Sequence, residues 1–331
     1  MNPTCLQFRR ATSVAFVLLV ICAAARAQES VCTIDLPTLV ILPDFSLVRD
    51  LGREGFVARD NHGPVRLDAV ETHRGPRRLL FVVETGKHLP PVARKVEAEA
   101  ISEILKRSSA EDSFALLTSR GPRRELHFGA SKEGLAAAVH EIEVGTTGKN
   151  QDSGVRDTIL EAISQFQPGR EGDAIVAVTT GIEKDSNASY QKVRDSLVKA
   201  RIRLFGVQIG VFLAGYYGTG MSASGYPTAW ADPNEESLFA LTRQTGGFAI
   251  WENTEHPWQE YRLTEERLHA VRYMSFQLYK AVVEYYGVDV RHSTDGLVLD
   301  LADVIRKDLP KAKVIYPMKL PDCAIPSPHS K

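Results

Sequence analysis

The sequence predicts an α/β fold, with a doubly wound, mostly parallel sheet flanked by a small β subdomain drawn from the N- and C-terminal segments. Three observations carry this expectation. Residues 79–83 (LLFVV) and 174–178 (AIVAV) are continuous apolar runs, the pattern of parallel strands buried on both faces. Between Arg78 and Ile250 strand-like and helix-like periodicities alternate, an order that builds βαβ units. Residues 33–75 instead carry short strand candidates between turn residues, with no helix-length periodicity.

Each element follows from its own pattern. Thr38, Leu39, Val40, Ile41 and Leu42 form an apolar, β-branched run. Residues 50–52 (DLG) make a turn, 55–59 (GFVAR) a strand, 61–64 (NHGP) another turn, and 65–70 (VRLDAV) alternate with a period of two. After the first apolar strand, Val92, Val96, Ile101, Ile104 and Leu105 mark one stripe of a helix over 92–106. Residues 114–117 form the next strand, and 124–128 a short one at an edge. A helix opens at Ser131 with Leu135, Ala138, Val139 and Ile142 inward, and another spans 157–166 with Ile159, Leu160 and Ile163 buried. Ser189 caps a helix that runs to Ala200, followed by a strand over 203–209. Gly246 and Gly247 stop a helix over 235–245, and 248–250 is a last short strand.

Further along, 258–271 reads as helix and 273–286 fits either helix or strand. Residues 296–300 and 312–316 read as strands expected to join 33–75 in one β subdomain. The predicted organisation is a signal peptide over 1–27, an N-terminal β segment over 28–75, an α/β domain over 76–272, and a C-terminal segment over 273–331.

The N-terminus carries Arg9 and Arg10, an apolar run over 15–24 and a small-x-small site at Ala25-Arg26-Ala27, the three parts of a secretory signal. The run is about half the ~20 apolar residues that a membrane anchor needs, so no membrane span is expected after cleavage. The expected location is secreted or periplasmic. Forty Lys plus Arg against 41 Asp plus Glu leave no basic footprint for nucleic acid. Of four cysteines, Cys5 and Cys22 fall in the signal. Cys32 and Cys323 remain, one near each end of the mature chain, and in an oxidising compartment they suggest a disulfide. Two unpaired thiols are the alternative.

Ligand sites in open α/β sheets lie at the carboxyl ends of the strands. Here those loops hold Glu84-Thr85-Gly86-Lys87-His88 after the first apolar strand and Thr179-Thr180-Gly181 after the second, with Asp152-Ser153-Gly154 between them. This layout resembles the von Willebrand factor type A (VWA) fold, with its D-x-S-x-S loop, central Thr and T-D-G after the fourth strand. Residues 51–60 (LGREGFVARD) resemble the lead-in of bacterial secreted VWA-related proteins, of the sort abundant in acidobacteria. The similarity covers roughly residues 35–285 and implies a VWA/Rossmann-like fold. It also implies a metal-ion-dependent adhesion site, in which an Asp, two Ser, a Thr and a second Asp hold a divalent cation.

In this sequence those five positions are Glu84, Gly86, His88, Ser153 and Thr180. Gly86 offers no side-chain oxygen. Thr180 brings a neutral hydroxyl in place of a carboxylate, and His88 an imidazole where a hard cation wants oxygen. The expectation is a degenerate site that binds no metal and no cofactor.

No G-x-S-x-G elbow follows a strand and no H-E-x-x-H occurs, so neither a serine hydrolase nor a zinc protease is expected. The loop over 210–232 sets Tyr216, Tyr217, Tyr226 and Trp230 among Gly and Ser, a composition suited to recognition. The alternative is an insertion whose aromatics tuck against the domain. The leading expectation is therefore a secreted, non-catalytic interaction or adhesion-type module with an unknown protein or surface partner. A structural scaffold component of an extracytoplasmic assembly is the alternative, and a metal-dependent adhesion domain the third reading.

Overall fold

The computed structural model describes residues 32–85, 89–119, 121–145, 154–180, 186–210, 237–253, 263–292 and 296–320. The N-terminal part gives β1 (Cys32–Ile41), β2 (Phe56–Asp60), β3 (Gly63–Val65) and β4 (Leu67–Arg74). Then come β5 (Arg78–Glu84), α1 (Pro91–Arg107), β6 (Ser113–Ser119), β7 (Glu125–Leu126), α2 (Lys132–Val144) and α3 (Val155–Ser164). The alternation continues through β8 (Ala174–Thr179), α4 (Tyr190–Ala200), β9 (Arg203–Gly210), α5 (Leu238–Gln244) and β10 (Ala249–Asn253). The chain closes with α6 (Glu265–Val283), β11 (Glu284–His292), β12 (Val298–Leu301), α7 (Asp303–Asp308) and β13 (Lys313–Ile315).

The central sheet has six strands in the order β10-β9-β8-β5-β6-β7, parallel except for the edge strand β7. Leu79, Phe81 and Val83 of β5 point into one core, with Val96, Ile101 and Ile104 of α1, Leu135 of α2 and Leu278 of α6. Leu80 and Val82 point into the other, with Ile159 of α3, Val193 of α4 and Leu241 of α5. Both faces are covered, which is why β5 and β8 read as unbroken apolar runs. Ser131 and Ser189 each accept a hydrogen bond from the amide three residues on, at Gly134 and Lys192, and so start α2 and α4 as expected.

The terminal segments pair with one another. β1 runs antiparallel to β11 from Cys32↔His292 to Thr38↔Tyr286, and β13 and β4 flank them in a four-stranded sheet ordered β13-β1-β11-β4. A separate three-stranded sheet, β12-β2-β3, packs on it through Leu36, Val288, Phe56 and Leu299. The C-terminal strands thus join the N-terminal segment as expected, in two sheets that share one core. The other face of the four-stranded sheet presents Leu39, Ile41, Tyr285 and Ile315 to the α/β core.

Residues 273–286, ambiguous by pattern, divide cleanly. Helix α6 carries through position 272 as far as Val283, and the strand starts at the next residue. Among the described residues no helix is long and apolar enough to cross a membrane.

Candidate functional site

From β5 the chain continues to β6 on one side, while β8, β9 and β10 build outward on the other. The switch point lies between β5 and β8, and the crevice outside their carboxyl ends is where such sheets place ligands. Glu84 ends β5 and is fully buried. Its Oε2 accepts from Thr179 Oγ1 at 2.5 Å, from the Thr180 amide at 2.8 Å and from Thr180 Oγ1 at 2.9 Å. The carboxyl end of β8 thus turns three donors onto one carboxylate oxygen. Gln208 of β9 steadies the same corner, its Nε2 donating to the Thr180 carbonyl at 3.4 Å.

The neighbouring strand closes the other side. Glu84 faces Ser119 in the β5–β6 ladder, and Thr85 donates to the Ser119 carbonyl through both its amide (2.8 Å) and its hydroxyl (3.2 Å). Gly121 has to be glycine here, since a Cβ would lie 2.0 Å from Thr85 Oγ1. The Ser119 hydroxyl is buried and, among the described residues, makes no hydrogen bond.

A second carboxyl stands close by. Glu97 lies on α1, is fully buried, and among the described residues neither of its oxygens has a hydrogen-bond partner. Burial pushes its pKa well above the usual carboxylate range, the negative charge of Glu84 pushes it further, and Arg94 offsets only part of this. The sequence reading missed Glu97, because a Glu within a helix reads as a solvent-facing residue.

The start of α3 and residues 186–188 lock together. A Cβ on Gly154 would lie 2.1 Å from Ser186 Oγ, so the two stretches touch. The Arg156 amide donates to Ser186 Oγ at 3.1 Å, and Asp157 accepts from the amides of Asn187 (2.8 Å) and Ala188 (2.9 Å). Of the residues singled out from the sequence, Glu84 and Thr180 are brought into direct contact. Gly86, His88 and Ser153 lie outside the described residues, as do Tyr216, Tyr217, Tyr226, Trp230 and Cys323.

A metal-ion-dependent adhesion site would set a cation at this corner. A hard divalent ion needs anionic or carbonyl oxygens free to face it. Here Glu84 Oε2 faces three protein donors, and Thr180 Oγ1 is one of them.

No family profile and no curated protein matches the chain. Solved structures give low-identity likenesses. Proximal thread matrix protein 1 of mussel byssus aligns at 11% identity and a TM-score of 0.39, over 70% of this chain and 51% of that one. A von Willebrand factor type A protein from Catenulispora acidiphila aligns at 11% identity and a TM-score of 0.42, over 89% and 76%. An aerotolerance-related membrane protein from Bacteroides fragilis aligns at 10% identity and a TM-score of 0.38, over 63% and 98%. The chain spans about half the length of the mussel protein.

Proposed function

We propose that this chain is a secreted, non-catalytic binding module of VWA type that engages a protein or surface partner at the strand carboxyl ends without a cation. The observation that carries the reading is the triple donation from Thr179 and Thr180 onto Glu84 Oε2, since hydrogen bonds there take the place of an ion's charge. A buried carboxylate without a cation needs such donors, because leaving it unmet costs several kcal/mol. The site is then built before any ligand arrives, and its surrounding loops are free to vary for recognition.

The test compares wild type with Thr180→Val and Thr180→Asp by thermal unfolding, with Mg²⁺ or Mn²⁺ and with EDTA. Wild type stripped of metal should melt at the same temperature in Mg²⁺ as in EDTA. Thr180→Val loses one donor and should cost about 1–3 kcal/mol. Thr180→Asp places a second carboxylate against Glu84, and its loss of stability should be partly reversed by the divalent ion. Micromolar Mg²⁺ binding by wild type, abolished in Glu84→Gln, would sink the metal-free reading.

A further inference from the structure

Far from the strand carboxyl ends, three residues distant in sequence converge. Asp35 on β1, His73 near the end of β4 and Glu171 in the segment before β8 each bring one ligand-type atom within 4.8 Å of the others. We propose that Asp35, His73 and Glu171 form a site for a divalent transition-metal ion of the zinc class, with water completing the coordination.

One imidazole with two carboxylates is a donor set that zinc accepts, whereas magnesium and calcium take oxygen alone. The ligands stand on firm supports. The His73 ring stacks on Tyr285, centroids 5.1 Å apart and planes 14° from parallel, and Tyr285 faces it directly in the β4–β11 ladder. The Tyr285 hydroxyl donates to Glu171 Oε1 at 2.8 Å, and His73 Nδ1 lies 3.0 Å from the same oxygen. The Tyr285 hydroxyl is the outer contact that orients the Glu171 carboxylate, and 3.0 Å between His73 Nδ1 and Glu171 Oε1 is a separation that two neighbouring ligands of one ion have. Arg203 lies over the Tyr285 ring at 4.1 Å and Arg77 at 5.1 Å, so the tyrosine is itself held.

Space and charge agree. Gly287 of β11 lies beneath the cluster, where a Cβ would fall 2.3 Å from His73 Nε2 and 3.0 Å from Asp35 Oδ1. Only glycine lets both side chains approach the strand this closely. Asp35 also stands directly opposite Asp289 on β11, a like-charge pair that a sheet ordinarily avoids. A bound cation would relieve that excess of negative charge. It would also tie β1 and β4 of the terminal sheet to the segment that enters β8 of the central sheet, so its signature is stability.

The experiment is calorimetric titration of EDTA-treated mature protein with ZnCl₂, with thermal melts in parallel, on wild type, His73→Gln, Asp35→Asn and Gly287→Ala. Wild type should bind one Zn²⁺ at micromolar affinity and melt higher with it, while millimolar Mg²⁺ does nothing. Each variant should bind at least tenfold more weakly, with an unchanged circular dichroism spectrum in EDTA. If His73→Gln fails to fold, Asp35→Asn carries the test. No heat of Zn²⁺ binding in wild type would overturn the proposal and leave His73 as a hydrogen-bonding bridge between carboxylates. Undiminished binding in both His73→Gln and Asp35→Asn would overturn it equally, by placing the ion elsewhere on the chain.

Discussion

On α1 the buried stripe carries Glu97 where an apolar side chain would ordinarily sit, and the surroundings favour its protonated form. Its folded value lies above the ordinary 4.5 because of burial and the neighbouring Glu84. From about that pH upward the unfolded chain gives up the proton while the folded chain keeps it. Stability therefore falls as pH rises, by up to about 1.4 kcal/mol per pH unit, until the folded value is passed. Glu97→Gln removes this penalty. Melts from pH 5 to pH 8 should show the variant gaining on wild type steadily as pH rises. A constant difference across that range would mean that Glu97 ionises normally. The paired positions Glu84 and Thr180 were legible in the sequence because strand ends in such sheets have a fixed place. Glu97 was not, and neither were Asp35, His73 and Glu171, since only the folded chain joins β1, β4 and the segment before β8.

Among the elements, the junction of α6 with β11 shows what the sequence could not carry. The helix passes into the strand between Val283 and Glu284, with no Gly or Pro before Gly287 to punctuate the change. Periodicity alone leaves such a stretch undecided, whereas Ser131, Ser189 and the runs in β5 and β8 speak plainly. The stop comes from another element. Arg203 at the start of β9 is fully buried, and its guanidinium donates to the carbonyls of Ala281 (3.1 Å) and Val282 (2.6 Å) in the last turn of α6. Those carbonyls lack helical partners, and a cation is also favourable at a helix C-terminus. Burial lowers the Arg203 pKa to about 10, which still leaves it charged at neutral pH. Arg203→Leu should leave the carbonyls unmet and cost about 2–4 kcal/mol in urea unfolding. Arg203→Lys should recover less than half, because an ammonium lacks the planar fork. A loss below about 0.5 kcal/mol in Arg203→Leu would show that the helix ends without it.

At the scale of the whole molecule, the four-stranded sheet is the shared layer. One face packs on the α/β core through Leu39, Ile41 and Tyr285, and the other on the three-stranded sheet through Leu36 and Val288. Its two central strands come from opposite ends of the chain, so the fold closes only when those ends meet. Cys32 opens β1 opposite His292, and the antiparallel pairing of Leu39 with Ile315 directs the chain after β13 toward the Cys32 end of β1. Cys323 lies outside the described residues, and in an oxidising compartment it is the cysteine left to pair with Cys32 once Cys5 and Cys22 are removed with a signal. We therefore propose a Cys32–Cys323 bridge that seals the terminal sheet. Closing so long a loop restrains the unfolded chain strongly, by about 5 kcal/mol on the entropic account. Mass mapping of unreduced peptides should recover the linked pair, and Cys323→Ser should lower stability by an amount that a reductant produces equally in wild type. Full alkylation of both thiols in the native, unreduced protein would leave the terminal sheet held by its ladder and its two cores alone.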